Sequence, residues 1–175
     1  MRTAIVSAAD RGGSVKQRVV SIVFHPRHWY RRTSGHLLVG GGIGFAEKLG
    51  EPDGKHHADG VYILLAGRSG ILYVGRTTKT RRGVMDFITR LYRHATSRAS
   101  KNSPVFKKLW LYSGGGKRLI HVCLISRPEV RAHFRTPPAW LTEESMIALL
   151  EVAIIDYLQP EINGPQRPSD ITGDS

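Results

Sequence analysis

Two tyrosines and an arginine–histidine pair stand out in this 175-residue sequence as side chains that could do chemistry. Tyr62 and Tyr73 lie on two adjacent runs of β-branched and aromatic residues, so each can project from one strand of a hairpin. Arg90 and His94 are four residues apart in a helical pattern and therefore share one helix face. A permanently charged guanidinium beside phenol and imidazole groups suits stabilisation of an anion combined with proton transfer.

A carboxylate on an apolar helix face is the next chemical feature. Glu151 shares its face of the predicted last helix with Ile147, Ala148, Ile154, Ile155 and Leu158. Burying such a charge is costly unless it is paired, hydrogen-bonded or bound to a metal ion. Asn163 follows Pro160 on a loop that can fold back over the end of this helix.

Each of these residues also has an ordinary structural interpretation. Tyrosine is common in half-buried strands. Arg90 could pair with Asp86 one turn earlier, His94 could be a solvated helix position, and an arginine could neutralise Glu151. The occurrence of all these residues together is what favours a functional site.

The hydrophobic pattern predicts the elements that position the first group of side chains. Residues 60–66 and 71–75 are short β-type runs separated by a Ser-Gly turn, which predicts an antiparallel hairpin. Apolar residues then recur at three- and four-residue steps over 80–97, which predicts the helix that carries Arg90 and His94.

Three further elements follow along the chain. A Ser-Pro N-cap predicts a short helix over 104–112, and alternation over 118–126 predicts a third strand. Thr142 caps a helix predicted to reach Leu158. The order strand-strand-helix-helix-strand-helix predicts an α+β domain with a small three-stranded antiparallel sheet flanked by helices.

The charge of the chain is large and uneven. The sequence has 26 Lys and Arg against 14 Asp and Glu, a formal net charge of +12. Residues 75–120 hold 12 basic side chains and one acidic one, a net +11, whereas residues 121–175 hold 4 against 8, a net −4. Such a field favours nucleic acid or an anionic membrane as partner. No stretch reaches the ~18 uncharged apolar residues of a spanning helix, so we expect nucleic acid and no membrane.

Composition divides the chain into three zones. Residues 1–59 are a basic, Gly- and His-rich extension with one predicted strand at 18–24, expected to pack on the core or to contact DNA. Residues 60–163 form the core, and residues 164–175 form a tail. The glycine-rich stretch 38–44 lacks the spacing of dinucleotide and phosphate-binding loops, so a flexible loop is predicted there.

The remaining candidate ligands and nucleophiles give weak signals. Five of the eight histidines precede residue 60, but none has metal-ligand spacing. Cys123 lies in the middle of a predicted strand and is interpreted as packed core. A single cysteine fits a reducing compartment, and the start of the chain lacks the apolar length of a signal peptide, so we expect a cytoplasmic protein.

The order and spacing of the motifs resemble the GIY-YIG nuclease family across residues 60–163. Valine replaces isoleucine at both centres of the paired signature, a difference of one methylene that leaves its chemistry unchanged. The arginine–histidine and glutamate–asparagine spacings are most similar to the restriction-endonuclease branch. The matching elements, in chain order, are Gly60-Val-Tyr62, Tyr73-Val-Gly75, Arg90-Leu-x-x-His94, Glu151 and Asn163.

The resemblance implies hydrolysis of a phosphodiester bond with one divalent cation per active site. The cation would be Mg²⁺, with Mn²⁺ as the alternative, and Glu151 would be its protein ligand. Arg90 would stabilise the charge that develops on the phosphate. Asn163 would orient Glu151 or close the site.

The resemblance also implies how the attacking water would lose its proton. In the family the first tyrosine, here Tyr62, is usually assigned as the general base, assisted by Tyr73 and His94. An unperturbed tyrosine has a pKa of about 10. Tyr62 would therefore need a shifted pKa, or would pass its proton to His94.

The basic residues near the predicted helix then have a role as contacts to double-stranded DNA. Arg76 follows the second signature directly and could bind the phosphate beside the cleaved bond. Solvated helix faces are the alternative for any one of the others. The predicted DNA-binding residues are Arg76, Lys79, Arg81, Arg82, Arg93, Lys107 and Lys108.

Three functional hypotheses stay open at this point. The leading one is a sequence-specific endodeoxyribonuclease of the restriction type, with a homodimer as the arrangement that cuts both strands. The second is a structure-specific or mobile-element nuclease of the same family. The third, from a different class, is a catalytically idle nucleic-acid-binding module.

Overall fold

A five-stranded antiparallel sheet lies at the centre of the computed structural model of this protein. The structure describes residues 2–8, 18–24, 35–45, 58–66, 70–77, 79–80, 83–84, 86–96 and 103–163. Its strands are β1 (Arg2–Ala8), β2 (Arg18–Phe24), β3 (Gly35–Leu38), β4 (Gly42–Phe45), β5 (Gly60–Ala66), β6 (Gly70–Thr77), β7 (Lys79–Thr80), β8 (Gly83–Val84) and β9 (Ile120–Ser126). Its helices are α1 (Phe87–Ala95), α2 (Pro104–Tyr112), α3 (Arg127–Ala132) and α4 (Glu143–Leu158).

The strands of the central sheet follow the order β4-β3-β9-β5-β6, and every neighbouring pair is antiparallel. β1 and β2 form a separate two-stranded antiparallel sheet. β7 and β8, which have two residues each, form another. Helices pack on both faces of the central sheet. The predicted α+β class is therefore confirmed.

The central sheet has two more strands than the three that were predicted. β5, β6 and β9 are the predicted strands, and β3 and β4 extend the sheet beyond β9. Pairing with β3 satisfies backbone groups of β9 that would otherwise lack partners. The stretch 38–44, predicted as a flexible loop, is instead part of the β3–β4 hairpin, with Gly40 in its turn at a φ of 85°. Strands of four residues are too short for their alternation to stand out in a sequence.

The helix predicted over 80–97 is shorter than its pattern suggested. It begins at Phe87, because the Asp86 side chain accepts a hydrogen bond from the Thr89 N–H at 2.8 Å and caps the first turn. Residues 79–80 and 83–84 form the β7–β8 pair instead. The helix ends at Ala95.

The other two predicted helices are confirmed with their caps. Ser103 accepts from the Phe106 N–H at 3.3 Å, and the following proline occupies the first turn of α2. Thr142 accepts from the Ser145 N–H at 3.2 Å at the start of α4. α4 ends at Leu158, and the following C-cap residue Gln159, with a φ of 45°, turns the chain out of the helix just before a proline.

A short helix, α3, follows β9 directly and was not predicted. The Ser126 N–H donates to the Glu129 carboxylate at 2.8 Å, one half of a capping box. A serine followed three residues later by glutamate is the sequence signal that could have revealed it.

An ion-pair network ties α3 and α4 to the start of β5. Arg127 donates from Nε to Asp59 at 2.9 Å, and its Nη2 pairs with the same carboxylate. Its Nη1 contacts Glu143 at 3.0 Å and Glu144 at 2.9 Å. Because Asp59 is buried, this multidentate pairing compensates a charge that would otherwise be costly. The network holds the strand that carries the first signature against the helix that carries Glu151.

The two faces of β5 belong to two different hydrophobic clusters. Val61 and Ile63 pack with α4 and with Val20 and Ile22 of β2. Tyr62 and Leu64, on the opposite face of β5, pack with α1 and α2. The predicted strand at 18–24 is thus confirmed and lies against the core, while residues 25–34 and 46–57 of the extension are outside the described part of the chain.

Two further expectations concern the core and the membrane. Cys123 is buried within the first cluster, as predicted. In the part of the chain that the structure describes, no helix is long and apolar enough to cross a membrane.

Two glycines of the paired signature are required by close contacts. Gly60 has a φ of 152°, and a Cβ there would collide with the Ile125 carbonyl oxygen. A Cβ on Gly75 would lie 2.5 Å from Tyr62 Cζ and 2.9 Å from Tyr73 Cε1. Gly75 therefore provides the space that both aromatic rings occupy.

We expect Gly75→Ala to lower the free energy of unfolding by about 1–3 kcal/mol, because the added methyl overpacks against two rigid rings. Urea unfolding would measure the loss. Gly70→Ala in the same strand is the matched control, since its Cβ would meet only Ala66 at 3.3 Å. Equal stability of the two variants would show that the rings do not need this space.

Candidate active site

The two tyrosines project from the same face of the β5–β6 hairpin. The register pairs Tyr62 with Gly75 and Leu64 with Tyr73, and both tyrosine positions lie on the side that faces α1. Their ring centroids are 6.0 Å apart. Tyr62 is fully buried, whereas Tyr73 is partly accessible. The hairpin thus presents one phenol to the interior and one toward the surface.

His94 joins this pair from α1. Its Nε2 and the Tyr62 hydroxyl oxygen are 2.8 Å apart, a buried hydrogen bond between residues 32 positions apart in the chain. The imidazole centroid lies 5.8 Å from the Tyr62 ring and 5.5 Å from the Tyr73 ring. The solvated-helix interpretation of His94 is therefore wrong, because the side chain is 6% exposed and packed among aromatic rings.

Arg90 lies one turn before His94 on the same helix face. Its guanidinium is close enough to both phenols to favour their ionised forms. Among the described residues its buried Nε has no hydrogen-bond partner. A buried, charged donor without an acceptor is a group that an anionic ligand can satisfy.

Burial controls the proton affinities of this cluster. It raises the pKa of Tyr62 well above the ordinary value, with the neighbouring Tyr73 adding to the effect, and it also raises the pKa of Tyr73. Burial and the charge of Arg90 lower the pKa of His94 to about 4. At neutral pH the free site therefore holds two neutral phenols and a neutral imidazole.

Glu151 lies on α4, on the other side of β6, and contacts Arg76. Arg76 Nε and Glu151 Oε2 are 3.3 Å apart, with the carboxylate side chain 15% exposed. Burial raises the pKa of Glu151 to about 7, although Arg76 and Arg90 both act in the opposite direction. The pairing of Glu151 with an arginine, one of its ordinary interpretations, is thus present in the structure.

Charged groups on the two sides of β6 affect one another's pKa values. The charge of Glu151 raises the pKa of Tyr62 and of Tyr73, and the charge of Arg90 lowers the pKa of Glu151. These groups come from β5, β6, α1 and α4, and they meet around the edge strand of the sheet. Five of the predicted catalytic residues are therefore brought into one neighbourhood.

Glu151 can serve a divalent cation as a single carboxylate ligand. Within the described ranges no group of three or more His, Cys, Asp or Glu residues is arranged to hold a metal ion. A hard cation such as Mg²⁺ commonly keeps several waters and uses one or two carboxylates together with substrate phosphate. One partly accessible carboxylate beside a displaceable arginine fits that donor set.

Asn163 contacts the backbone of β6. Its Oδ1 accepts from the Val74 N–H, and its Nδ2 donates to the Val74 carbonyl, both at 2.8 Å. The Ile162 N–H donates to the Leu72 carbonyl at 2.8 Å. Because both polar atoms of the amide are used on β6, the geometry favours the site-closing role predicted for Asn163 over the alternative of orienting Glu151.

The predicted DNA contacts occupy different settings. Arg93 and Lys107 are exposed, and Arg76 contacts Glu151. Lys108 is exposed and donates from Nζ to the Ile162 carbonyl at 3.2 Å, so it also supports the closing segment. Lys79 lies in β7, but its side chain is not described, and residues 81–82 are outside the described part of the chain.

Two supporting residues were missed by sequence reasoning. Phe87 packs edge-on against Tyr62, with centroids 6.4 Å apart at 84°. Ile162 buries its side chain in the same cluster and pairs with β6. The signal for Ile162 was its place directly before Asn163, and the signal for Phe87 was its position one turn before Arg90 on the apolar stripe.

Comparison with known proteins adds no family assignment. No protein-family model matches the chain, and no curated protein or solved structure matches it. The interpretation of the site therefore depends on its own geometry and chemistry.

We expect His94 to lower the stability of the protein in mild acid. The pKa of this group is about 4 in the folded state and about 6.5 in the unfolded chain. Between these values the unfolded chain binds more protons at His94, so the stability that His94 contributes is complete above about pH 6.5 and decreases by about 3 kcal/mol as the pH falls to 4. The raised pKa of Glu151 acts in the opposite direction over the same range, so the effect of His94 is measured as the difference between the wild type and a variant. Urea unfolding from pH 7.5 to pH 4 would measure the slope.

His94→Gln should lose this decrease, so that its stability relative to the wild type rises by up to about 3 kcal/mol between pH 7.5 and pH 4. Thr89→Gln, at an exposed position of the same helix, is the control and should keep the pH dependence of the wild type. If His94→Gln kept it as well, the histidine would not be buried in its neutral form.

Proposed function

We propose that this protein is a metal-dependent endodeoxyribonuclease of the GIY-YIG type that hydrolyses phosphodiester bonds of double-stranded DNA. The observation that carries the proposal is the cluster of Tyr62, Tyr73, Arg90 and His94 on one side of the hairpin, electrostatically coupled to Glu151 on the other. These residues were singled out together by their resemblance to the family. Their convergence from four elements supports the proposal.

The charges around the cluster suit a phosphate. Arg90 has a buried donor without an acceptor among the described residues, and Arg76 lies beside the carboxylate at the same edge. The sequence contains no acidic residue between Asp86 and Glu129. A phosphodiester bound beside these arginines would offset part of their positive charge, and the additional charge that develops in the transition state would be stabilised.

The proton of the attacking water would pass to Tyr62 while the Tyr62 hydroxyl gives its own proton to His94, because a neutral phenol accepts a proton only as it releases one. In the free site burial works against ionisation of both phenols, and His94 is a weak acceptor because of its burial and the charge of Arg90. A phosphate bound by Arg90 would offset that charge and raise the proton affinity of His94. Tyr62 could then pass a proton along its 2.8 Å hydrogen bond to the imidazole.

Glu151 would hold the divalent cation, Mg²⁺ or alternatively Mn²⁺, one per site. The bound cation would supply Lewis-acid stabilisation of phosphate charge and favour ionisation of a nearby water. Arg76, released from Glu151, would become available to the phosphate. Asn163 would keep the edge of β6 closed during this exchange.

An active enzyme is favoured over an idle DNA-binding module. A buried tyrosine and histidine beside a partly buried arginine, with a carboxylate of raised pKa nearby, cost stability that surface binding of DNA does not require. We include in the proposal a restriction-type, sequence-specific activity in the cytoplasm, by a homodimer in which each site cuts one strand.

We expect Glu151→Gln to abolish plasmid cleavage, a loss of at least about 100-fold, while DNA affinity stays within a few-fold, because a neutral amide binds a hard cation poorly. The assay incubates the full chain with supercoiled plasmid in Mg²⁺ or EDTA. Asp156→Asn, an exposed acid on the same helix, is the matched control and should cut normally.

Each result of this assay has a distinct meaning. Discrete Mg²⁺-dependent fragments would support the sequence-specific form. Nicked circles or a smear would favour the structure-directed nuclease instead. Strong residual cleavage by Glu151→Gln would remove the metal-ligand role, and no cleavage of varied DNA despite salt-sensitive binding would favour the idle module.

Tyr62→Phe should lower turnover by about 10²–10⁴-fold with nearly unchanged DNA affinity, because it removes the hydroxyl that bonds His94 while keeping the ring. Single-turnover cleavage and anisotropy binding would separate the two effects. Tyr157→Phe, on an exposed tyrosine of α4, is the control and should behave as the wild type. A Tyr62→Phe protein that cuts at the normal rate would exclude Tyr62 as a proton acceptor.

A further inference from the structure

The C-terminal end of α2 exposes large apolar side chains. Leu111 is 78% exposed and Trp110 is 40% exposed. The chain then turns through Gly114, Gly115 and Gly116, all with positive φ. We call the end of α2 with this turn, residues 107–118, the α2 tip. Lys107 and Lys108 of this tip are among the predicted DNA contacts, but the proposed reaction does not use Trp110, Leu111, Lys117 or Arg118.

The α2 tip is held in place by contacts around Trp110. Its ring stacks on Phe106, with centroids 6.0 Å apart at 22°. A Cβ on Gly40 or on Gly116 would lie 2.7 Å or 3.3 Å from Trp110 Cζ3, so two backbone turns approach the indole closely. The Gly115 N–H donates to the Trp110 carbonyl at 2.9 Å. Leu111 therefore protrudes from a prearranged support.

Positive charge surrounds the protruding leucine. Lys107 lies one turn before it on α2, and Lys117 and Arg118 follow the glycine turn, all three exposed. The N–H groups of Lys117 and Arg118 both donate to the Ser113 carbonyl at 3.0 Å, which places these residues beside the end of the helix. A basic rim around an apolar tip fits a polyanion that also offers apolar faces, as the sugars and bases of DNA do.

α2 links the α2 tip to the segment that closes the proposed active site. Lys108, on the same helix, donates to the carbonyl of Ile162 in that segment. Trp110 of the tip approaches the β3–β4 turn, which lies at the opposite edge of the sheet from β6. The nine residues of α2 span about 13 Å, whereas one turn of duplex DNA extends about 34 Å. A duplex can therefore extend over the whole length of α2.

We propose that the α2 tip is a second DNA-binding element, which rests on the proposed function. Lys107, Lys117 and Arg118 bind phosphates of the duplex away from the cleaved position, and Leu111 inserts at a base step and distorts the duplex. The tip thereby selects DNA segments that are easily unstacked.

The phosphate contacts are tested by the salt dependence of binding. Fluorescence anisotropy would follow a labelled 30-base-pair duplex bound to the full chain carrying Glu151→Gln, which is expected to abolish cleavage and keep DNA binding. Adding Lys117→Gln and Arg118→Gln should weaken binding at least about tenfold and make the slope of log affinity against log salt less negative by about 2. The matched control, Arg131→Gln with Arg135→Gln near α3, should leave the slope unchanged, and an unchanged slope in the tip variant would overturn the proposal.

The insertion of Leu111 is tested by base unstacking. A duplex carrying 2-aminopurine should become more fluorescent on binding, and Leu111→Ser should remove this rise and weaken binding about tenfold with the salt slope preserved. Leu38→Ser, at a partly exposed leucine of β3, is the control and should retain the rise. A rise that persists in Leu111→Ser would overturn the insertion.

The outcomes separate this inference from the proposed function. Normal Glu151-dependent cleavage with unaltered binding by both tip variants would overturn the tip and leave the nuclease proposal intact. DNA binding that depends on the tip, in a protein that never cuts DNA, would support the tip and overturn the nuclease proposal. A chain that neither binds nor cuts DNA would overturn both.

Discussion

Tyr62 and His94 share a 2.8 Å hydrogen bond inside the protein, where neither group can exchange its partner for water. Buried polar groups must satisfy one another, so this bond sets the position of α1 against the β5–β6 hairpin. It is formed only because Gly75 leaves room for the phenol and Phe87 supports its ring. The placement of Arg90 follows, since it lies one helical turn from His94.

The edge strand β6 is where the two halves of the candidate site meet. Tyr73 faces α1 on one side, while Arg76 contacts Glu151 of α4 on the other. An open strand edge invites pairing with other chains, and Asn163 covers it by bonding both backbone groups of Val74. One short segment after α4 therefore protects the sheet and keeps the site assembled.

The elements with local signals were predicted well. Ser103 and Thr142 cap their helices through contacts three residues away, which a sequence pattern can reveal. The β3–β4 hairpin was missed because its strands are stabilised by pairing with the distant β9 rather than by their own composition. The start of α1 was misplaced because Asp86 caps the helix after a short strand pair that the apolar spacing does not distinguish from helix.

The sequence by itself determined which chemical groups are available, the hairpin and three helices that carry most of them, and the excess of positive charge between residues 75 and 120. Only the tertiary structure decided that His94 is buried and neutral, that Asn163 bonds to Val74, and that Arg76 is the partner of Glu151. The physical reason is the separation along the chain over which each interaction acts. Caps and periodicity act over a few residues, whereas burial, pKa and ion pairing depend on distances between segments remote in the chain.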